Sequence, residues 1–295
     1  MNLLKNLISK KQYRFTWKMV LDVTLFSISL VLVIMLFVPF FIRWGMPAGS
    51  DLLGIFKPAA TALIHGKSPY SLPYFTNPPW VLLIYIPFLV IPYPFDIILF
   101  TIIGLTVFGF TAHKLGANFI TVALLLMLPQ LLWGIAYGNI DWLVALGFIL
   151  PPQIGLFLVI LKPQLGIFVA MFWAYEAWQK GNIREFFKTV WPVVIVSILS
   201  LIAFPDMIER MLWYATPYKG NLSLFPYSIP VGIIIVYRMF KNRSKKLAIL
   251  ASPFFTPYLG VNSLSVPILG LLPNQTETII AVFSLWLMWL IRGTI

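Results

Sequence analysis

The residue types able to do chemistry are few enough in this chain to audit one by one. Cysteine is absent, which excludes disulfides, thiol nucleophiles and Cys-ligated metals. The two histidines, His65 and His113, cannot build a His-rich metal centre. Nine acids remain, with no cluster among them that demands a divalent cation. Glu185 stands in a basic stretch, and Glu176 lies at the end of the apolar run before it. Asp206 and Glu209 accompany Arg210 and read as a solvated face, whereas Asp96 and Glu277 adjoin turns marked by Pro94 and Pro273. Asp22, close to the start of the first apolar run, reads as an interfacial carboxylate. Two acids are left. Asp51 opens a segment in which a helix-start residue satisfying free N–H groups is one reading. Asp141 stands between two apolar runs, where an ionisable group is usually functional if the runs lie in a membrane.

The elements that must position these residues are membrane elements. The chain has 295 residues, 60% of them hydrophobic and 10% charged, against roughly 45–50% and 25% in soluble domains. A single soluble core stops growing near ~250–300 residues and could not hide that much apolar surface. The runs exceed the ~9–11 residues of barrel strands, so the expected class is all-α: a polytopic transmembrane helix bundle forming one integral-membrane domain over 1–295. The net charge of +12 is topological. Lys5, Lys10, Lys11, Arg14 and Lys18 precede the first apolar run; Lys180, Arg184 and Lys188 form a second cluster, and Lys241, Arg243, Lys245 and Lys246 a third. This is the positive-inside pattern, and it argues against a nucleic-acid partner.

Val20 to Ile42 is long enough to cross ~30 Å of hydrocarbon and too long for the ~7–15-residue core of a signal peptide. It is expected to be an uncleaved anchor with a cytoplasmic N-terminus. Residues 43–79 then form the first extracytoplasmic loop. Within it Pro58 argues against one continuous helix from Asp51. A juxtamembrane helix with Pro58 in its first turn and Gly66 as its stop fits better. Short, Pro-broken runs follow at 80–91, 95–112, 119–137, 140–150 and 154–161, and longer ones later, giving about 8–10 membrane segments, some short or re-entrant. The N-terminus and the 180–188 cluster belong on one side, so an even number of crossings must separate them. Two arrangements satisfy this. One makes 140–161 a single kinked helix and puts Asp141 inside. The preferred one makes 80–112 a re-entrant piece plus one crossing, and gathers Asp51, Asp141 and Lys162 on the outer face. A short repeat, Pro152-Gln153-Ile154-Gly155-Leu156-Phe157 and Pro163-Gln164-Leu165-Gly166-Ile167-Phe168, reads as chance similarity in an apolar chain. So do three N-glycosylation-like tripeptides at Asn221, Asn242 and Asn274.

Asp51-Leu52, Ala59-Ala60, Ala62-Leu63, Gly66, Pro69-Tyr70 and Asn77-Pro78-Pro79 together resemble the first outer loop of lipid-dependent GT-C glycosyltransferases. The nearest resemblance is to family 87, the polyprenyl-phosphate-mannose-dependent mannosyltransferases. Gly138-Asn139-Ile140-Asp141 is similar to that family's Gly-Gln-x-Asn, and Leu161-Lys162-Pro163 to its Leu-Lys-Pro. The order and spacing hold over residues 20–190. Departures are Phe56 where Tyr is common, Asn77 for the Tyr before Pro-Pro, and Asn139 and Asp141 for Gln and Asn.

The resemblance implies a membrane enzyme that moves a mannose-like hexose, with inversion, from a polyprenyl-phosphate donor to an acceptor hydroxyl on a lipid or glycan. The transfer takes place on the non-cytoplasmic face, without a metal or other cofactor, in a protein of the cell membrane. Asp51 is then the general base, a role that contributes typically ~10²–10⁴-fold. The leaving lipid phosphate needs charge stabilisation more than a proton. Lys162 is the first candidate for that, with a snorkelling lysine as its plain alternative, and Lys57, His65 and Arg43 are further phosphate contacts. Asp141, Asn139 and Gln164 are candidates for holding the sugar. Tyr70 and Trp80 are candidates for the groove, although an interfacial aromatic belt is the preferred reading of Trp80. Two other readings share the broken helices: a transporter or flippase of a lipid-linked or amphiphilic molecule, and a truncated, non-catalytic relative.

Overall fold

The computed structural model describes residues 48–212 and 221–292. The basic N-terminal cluster, the Val20–Ile42 run and Arg43 lie outside the described residues. Among those described every named element is helical, and the β-structure is one isolated bridge, Asn221 to Gly260. A helical stretch opens with a π-turn, Leu52–Phe56, and continues as α1, Lys57–Ile64. Short helical turns follow, ending in Pro79–Val81, α2 (Leu82–Tyr85) and Ile86–Val90. Then come α3 (Phe95–Lys114), α4 (Phe119–Leu126), α5 (Pro129–Tyr137), α6 (Asp141–Gly147) and α7 (Pro152–Val159). The chain goes on through α8 (Pro163–Ala203), α9 (Met207–Leu212), α10 (Ile229–Lys241) and α11 (Lys245–Ala251). Three 3₁₀ turns between Ser252 and Gly270 lead to α12, Gln275–Arg292.

Two helices, α3 and α8, are long and apolar enough to cross a membrane, and α4 with α5, bent by 56°, makes a third if the pair is one span. α3 buries Phe100, Leu105 and Phe108 on one side and exposes Ile98, Ile102 and Phe110 on the other. α8 exposes Trp191, Ile195, Ile198, Leu199 and Ile202 along its second half. A contiguous apolar surface of that extent belongs against lipid rather than water.

α8 is not a rod. Gly181 and Asn182 leave the helical region, Asn182 at φ 55° and ψ −146°, a combination that costs a non-glycine residue about 1–3 kcal/mol. A straight 41-residue helix would place its ends about 60 Å apart. Instead the Phe204 ring lies 5.9 Å from that of Tyr70. Tyr70 donates its hydroxyl to the Asn77 carbonyl, and the Asn77 amide donates to the Leu161 carbonyl just before α8 begins. Residue 204 has therefore come back beside residue 161, and α8 is two antiparallel arms, 163–180 and 183–203. Each arm alone approaches ~30 Å at 1.5 Å per residue.

The repeat of Pro-Gln-x-Gly has a structural sense. Pro152 and Pro163 each start a helix, where a missing N–H costs nothing. Each following glycine is a point of close packing: a Cβ on Gly166 would stand 2.2 Å from the Val159 carbonyl oxygen, and one on Gly155 2.6 Å from the Trp173 ring. The segment 140–161 is accordingly not one kinked helix but two short ones, α6 and α7, packed together with α7 against α8.

Helix is continuous from Ser50 to Ile64, contrary to the break expected at Pro58. Proline clashes with the carbonyl four residues back, and the π-turn before it loosens that register, so Pro58 sits in the first turn of α1 without ending the stretch. Gly66, at φ +69°, follows the helix end as expected. Phe56 stacks on Tyr85 at 4.3 Å, and Tyr85 on Phe100 at 5.7 Å, so an aromatic column ties the Asp51 segment to α3.

Candidate functional site

Three helix boundaries converge on one polar cluster. Gly138 ends α5 in the left-handed conformation at φ 82°, and the next residue, Asn139, returns its N–H to the Gly134 carbonyl. The same glycine allows contact with the Asp51 segment: a Cβ at position 138 would stand 2.6 Å from Leu52 Cβ and 2.8 Å from the Leu52 nitrogen. Asn139 thereby faces Asp51 and donates its amide to Asp51 Oδ2 at 2.9 Å. Lys162 occupies the turn between α7 and α8, just before Pro163, and its ammonium donates to Asn139 Oδ1 at 2.7 Å. It also meets Asp141 Oδ1 at 2.6 Å. Asp141 Oδ2 in turn accepts the Asn262 amide at 2.8 Å.

Asp51 is not a helix cap, since its carboxylate makes no hydrogen bond to its own helix. Burial pushes the Asp51 carboxyl above its ordinary value; the Asn139 hydrogen bond and the Lys162 charge oppose that, and the Asp141 charge adds to it.

Asp51, Asn139, Lys162 and Gln164 line one cavity of about 470 Å³, with Asn77, Asn262, Thr76 and Thr256 as further polar walls. Phe56, Tyr74, Trp133, Tyr137 and Tyr258 supply aromatic faces. Trp133 stacks on Tyr137 at 4.9 Å and packs edge-on against Trp289 at 5.3 Å, so that wall is braced from α12. The Thr256 hydroxyl is buried with no hydrogen-bond partner.

Other expected site residues lie elsewhere. Asp141 is 4% exposed and sits behind the wall, spent on Lys162 and Asn262, so it does not present its carboxylate to a ligand as expected. Tyr70 is fully buried beside Phe75 and Phe204 with its hydroxyl turned to a backbone carbonyl; it is core, not groove. Trp80 is half-buried and donates to the Phe157 carbonyl at 2.9 Å, bracing α7. Lys57 is not available to a phosphate in this cavity. Its ammonium is held by Asp96 at 2.7 Å and by the Ile91 carbonyl at 3.2 Å. Asp96, read from sequence as a turn neighbour, is completely buried at the start of α3 and needs that partner. His65 is exposed and bonds the Thr61 carbonyl through Nδ1. It shares with Lys57 and Lys67 a separate, open concavity of about 530 Å³.

Sequence reasoning missed Asn262, Thr256 and Tyr258. They come from the irregular stretch after α11, where the one usable signal was an Asn-Ser pair within an otherwise apolar run. Among the described residues no group of three or more His, Cys, Asp or Glu is arranged to hold a metal. Comparison of the chain with protein-family models, with curated proteins and with solved structures returned no match.

Proposed function

We propose that this chain is a multi-pass membrane glycosyltransferase that moves a hexose from a polyprenyl-phosphate donor to an acceptor hydroxyl. The observation that carries the reading is the placement of the Asp51 carboxylate and the Lys162 ammonium one amide apart, bridged by Asn139, in an amide- and aromatic-lined cavity. Ring faces with converging amides and hydroxyls suit a sugar, which offers an apolar C–H face and a rim of donors and acceptors. Lys162 is the one cation among the lining residues described. One ammonium fits a phosphodiester donor of single charge better than a nucleotide diphosphate with two or more.

In the proposed reaction Asp51 takes the proton of the acceptor hydroxyl as its oxygen attacks the anomeric carbon from one side. The bond from that carbon to the phosphate oxygen breaks on the other side, with inversion. The lipid phosphate leaves with the electron pair and an additional negative charge, which the Lys162 ammonium meets. The wider proposal includes the bundle of about 8–10 membrane segments, an extracytoplasmic cavity, a cell-membrane location and membrane lipids as the surrounding partner.

The test is transfer by the full chain in lipid nanodiscs, supplied with a polyprenyl-phosphate hexose and a lipid acceptor. Asp51→Asn is expected to reduce transfer by about 10²–10⁴-fold while donor binding persists. Undiminished transfer by a folded Asp51→Asn protein removes the base assignment. Donor binding without turnover in the unaltered chain makes it a binding relative instead of an enzyme.

A further inference from the structure

We infer that Asp141 and Asn262 are positioning residues that hold Lys162 at the cavity wall, so that the irregular stretch after α11 completes the site. The inference rests on the transfer reading only for what Lys162 does once held. The holding itself is geometric.

A lysine carries its ammonium on four flexible carbons and, left on a cavity wall, would sample many rotamers. Lys162 does not have that freedom. Its ammonium donates to Asn139 Oδ1 at 2.7 Å and is paired with the Asp141 carboxylate, Oδ1 at 2.6 Å, and its side chain is 12% exposed. Asp141, at 5% side-chain exposure, is costly to bury unless both oxygens are satisfied. Lys162 meets Oδ1 as an ion pair at 2.6 Å without a hydrogen bond, which makes that charge the one partner of the oxygen; Asn262 Nδ2 donates to Oδ2 at 2.8 Å, with Ser263 Oγ at 3.5 Å as a weak second donor. Asn262 reaches this point because α5 is bare where they meet. A Cβ on Gly134 would stand 3.0 Å from Asn262 Cβ. The order of contact is thus Asn262, Asp141, Lys162, Asn139, Asp51, a continuous row of three hydrogen bonds and one ion pair from the C-terminal third to the proposed base.

The row predicts a local response that needs no donor molecule. Full-length protein in nanodiscs is treated with an amine-acylating reagent, and labelling at Lys162, Lys57 and Lys67 is read by mass spectrometry. Lys67 is exposed and reports reagent activity. Lys57, held by buried Asp96, reports an intact fold. Asp141→Asn is expected to raise the Lys162/Lys67 ratio several-fold with Lys57 still protected. Asn262→Leu, which keeps the volume and removes the donor, is expected to raise it in the same direction. If Asn262→Leu behaves as the unaltered protein, Asn262 only fills space and the proposal falls. An unchanged ratio in Asp141→Asn, or a rise shared with Lys57, overturns it as well. Because labelling uses no sugar donor, these results stand apart from the transfer assay. A chain that transfers nothing can still show the row, and one that transfers well can lack it.

Discussion

Asp51 is the residue on which the chemistry turns, and its surroundings make a signed prediction about pH. Burial raises its carboxyl from 3.8, while the Asn139 amide, which bonds the ionised form, pulls it back. A base works only when deprotonated, so the rising limb of transfer rate against pH is expected above the ordinary carboxylate range. Asn139→Ala removes a hydrogen bond that favours the charged form, and the limb should move to higher pH still. A rate profile measured from pH 4 to 9 in which Asn139→Ala moved the limb downward would contradict the assignment. At this scale the sequence was partly legible. Asp51 stood out because it opens the outer segment and Lys162 because it is charged beside apolar runs at a Pro boundary, whereas Asn139 was reached only through the resemblance carried by Gly138-Asn139-Ile140-Asp141. Lys57 and Asp141 were misread because their partners are remote in sequence. Asp96 lies 39 residues from Lys57, and Asn262 lies 121 from Asp141, and no local pattern encodes such pairings.

Among the elements, helix starts carry a local signal that was used only at Pro58, and helix endings in space carry none. Proline at the first turn marks α1, α5, α7, α8 and α10, a rule that works from the residue alone. The return of α8 at Gly181 and Asn182 follows the basic cluster that sequence had placed at an inner turn, although helix resumes there at once. The contact between α5 and the Asp51 segment was invisible, since it depends on a side chain that is missing. Gly138 should therefore be the most sensitive glycine near the cavity. Gly138→Ala adds about 1–2 kcal/mol of left-handed strain and also drives a methyl group into Leu52, separating Asn139 from Asp51. Gly66→Ala is the matched control, because Gly66 is also left-handed at φ +69° but has nothing within 4 Å of the added carbon. Thermal unfolding in nanodiscs is expected to show a loss in both variants, larger in Gly138→Ala, with transfer surviving only in Gly66→Ala. Equal losses in stability and activity would mean that the Leu52 contact has no bearing on the site.

The whole molecule is polar along its length, and that polarity is what a membrane would read. The first arm of α8 starts at the cavity with Lys162, Pro163 and Gln164. It runs about 27 Å to Lys180, and the second arm returns to α9, whose Met211 and Leu212 line the same cavity. The turn of α8 is therefore an arm's length from the site. The third basic cluster lies toward that far end, since Phe240 packs on Tyr175 at 4.9 Å and the Lys245 ammonium sits over the Trp173 ring at 5.5 Å. Glu176 and Glu185 at that end are paired with Lys180 and Lys188, and Lys180, Arg184, Lys188, Lys241, Arg243, Lys245 and Lys246 together make it the end expected on the cytoplasmic side by the Lys/Arg bias. Because the chain contains no cysteine, single Cys substitutions report sidedness without a background. Thr76→Cys at the cavity and Arg184→Cys and Arg243→Cys at the basic end are to be labelled in sealed spheroplasts with a membrane-impermeant maleimide. Thr76→Cys is expected to react from outside, and the other two only after lysis. Labelling of all three from the same side would mean that α8 turns back without crossing. If none of the three reacts until lysis, the cavity faces the cytosol with the basic clusters, and a donor presented at the outer surface could not reach Asp51.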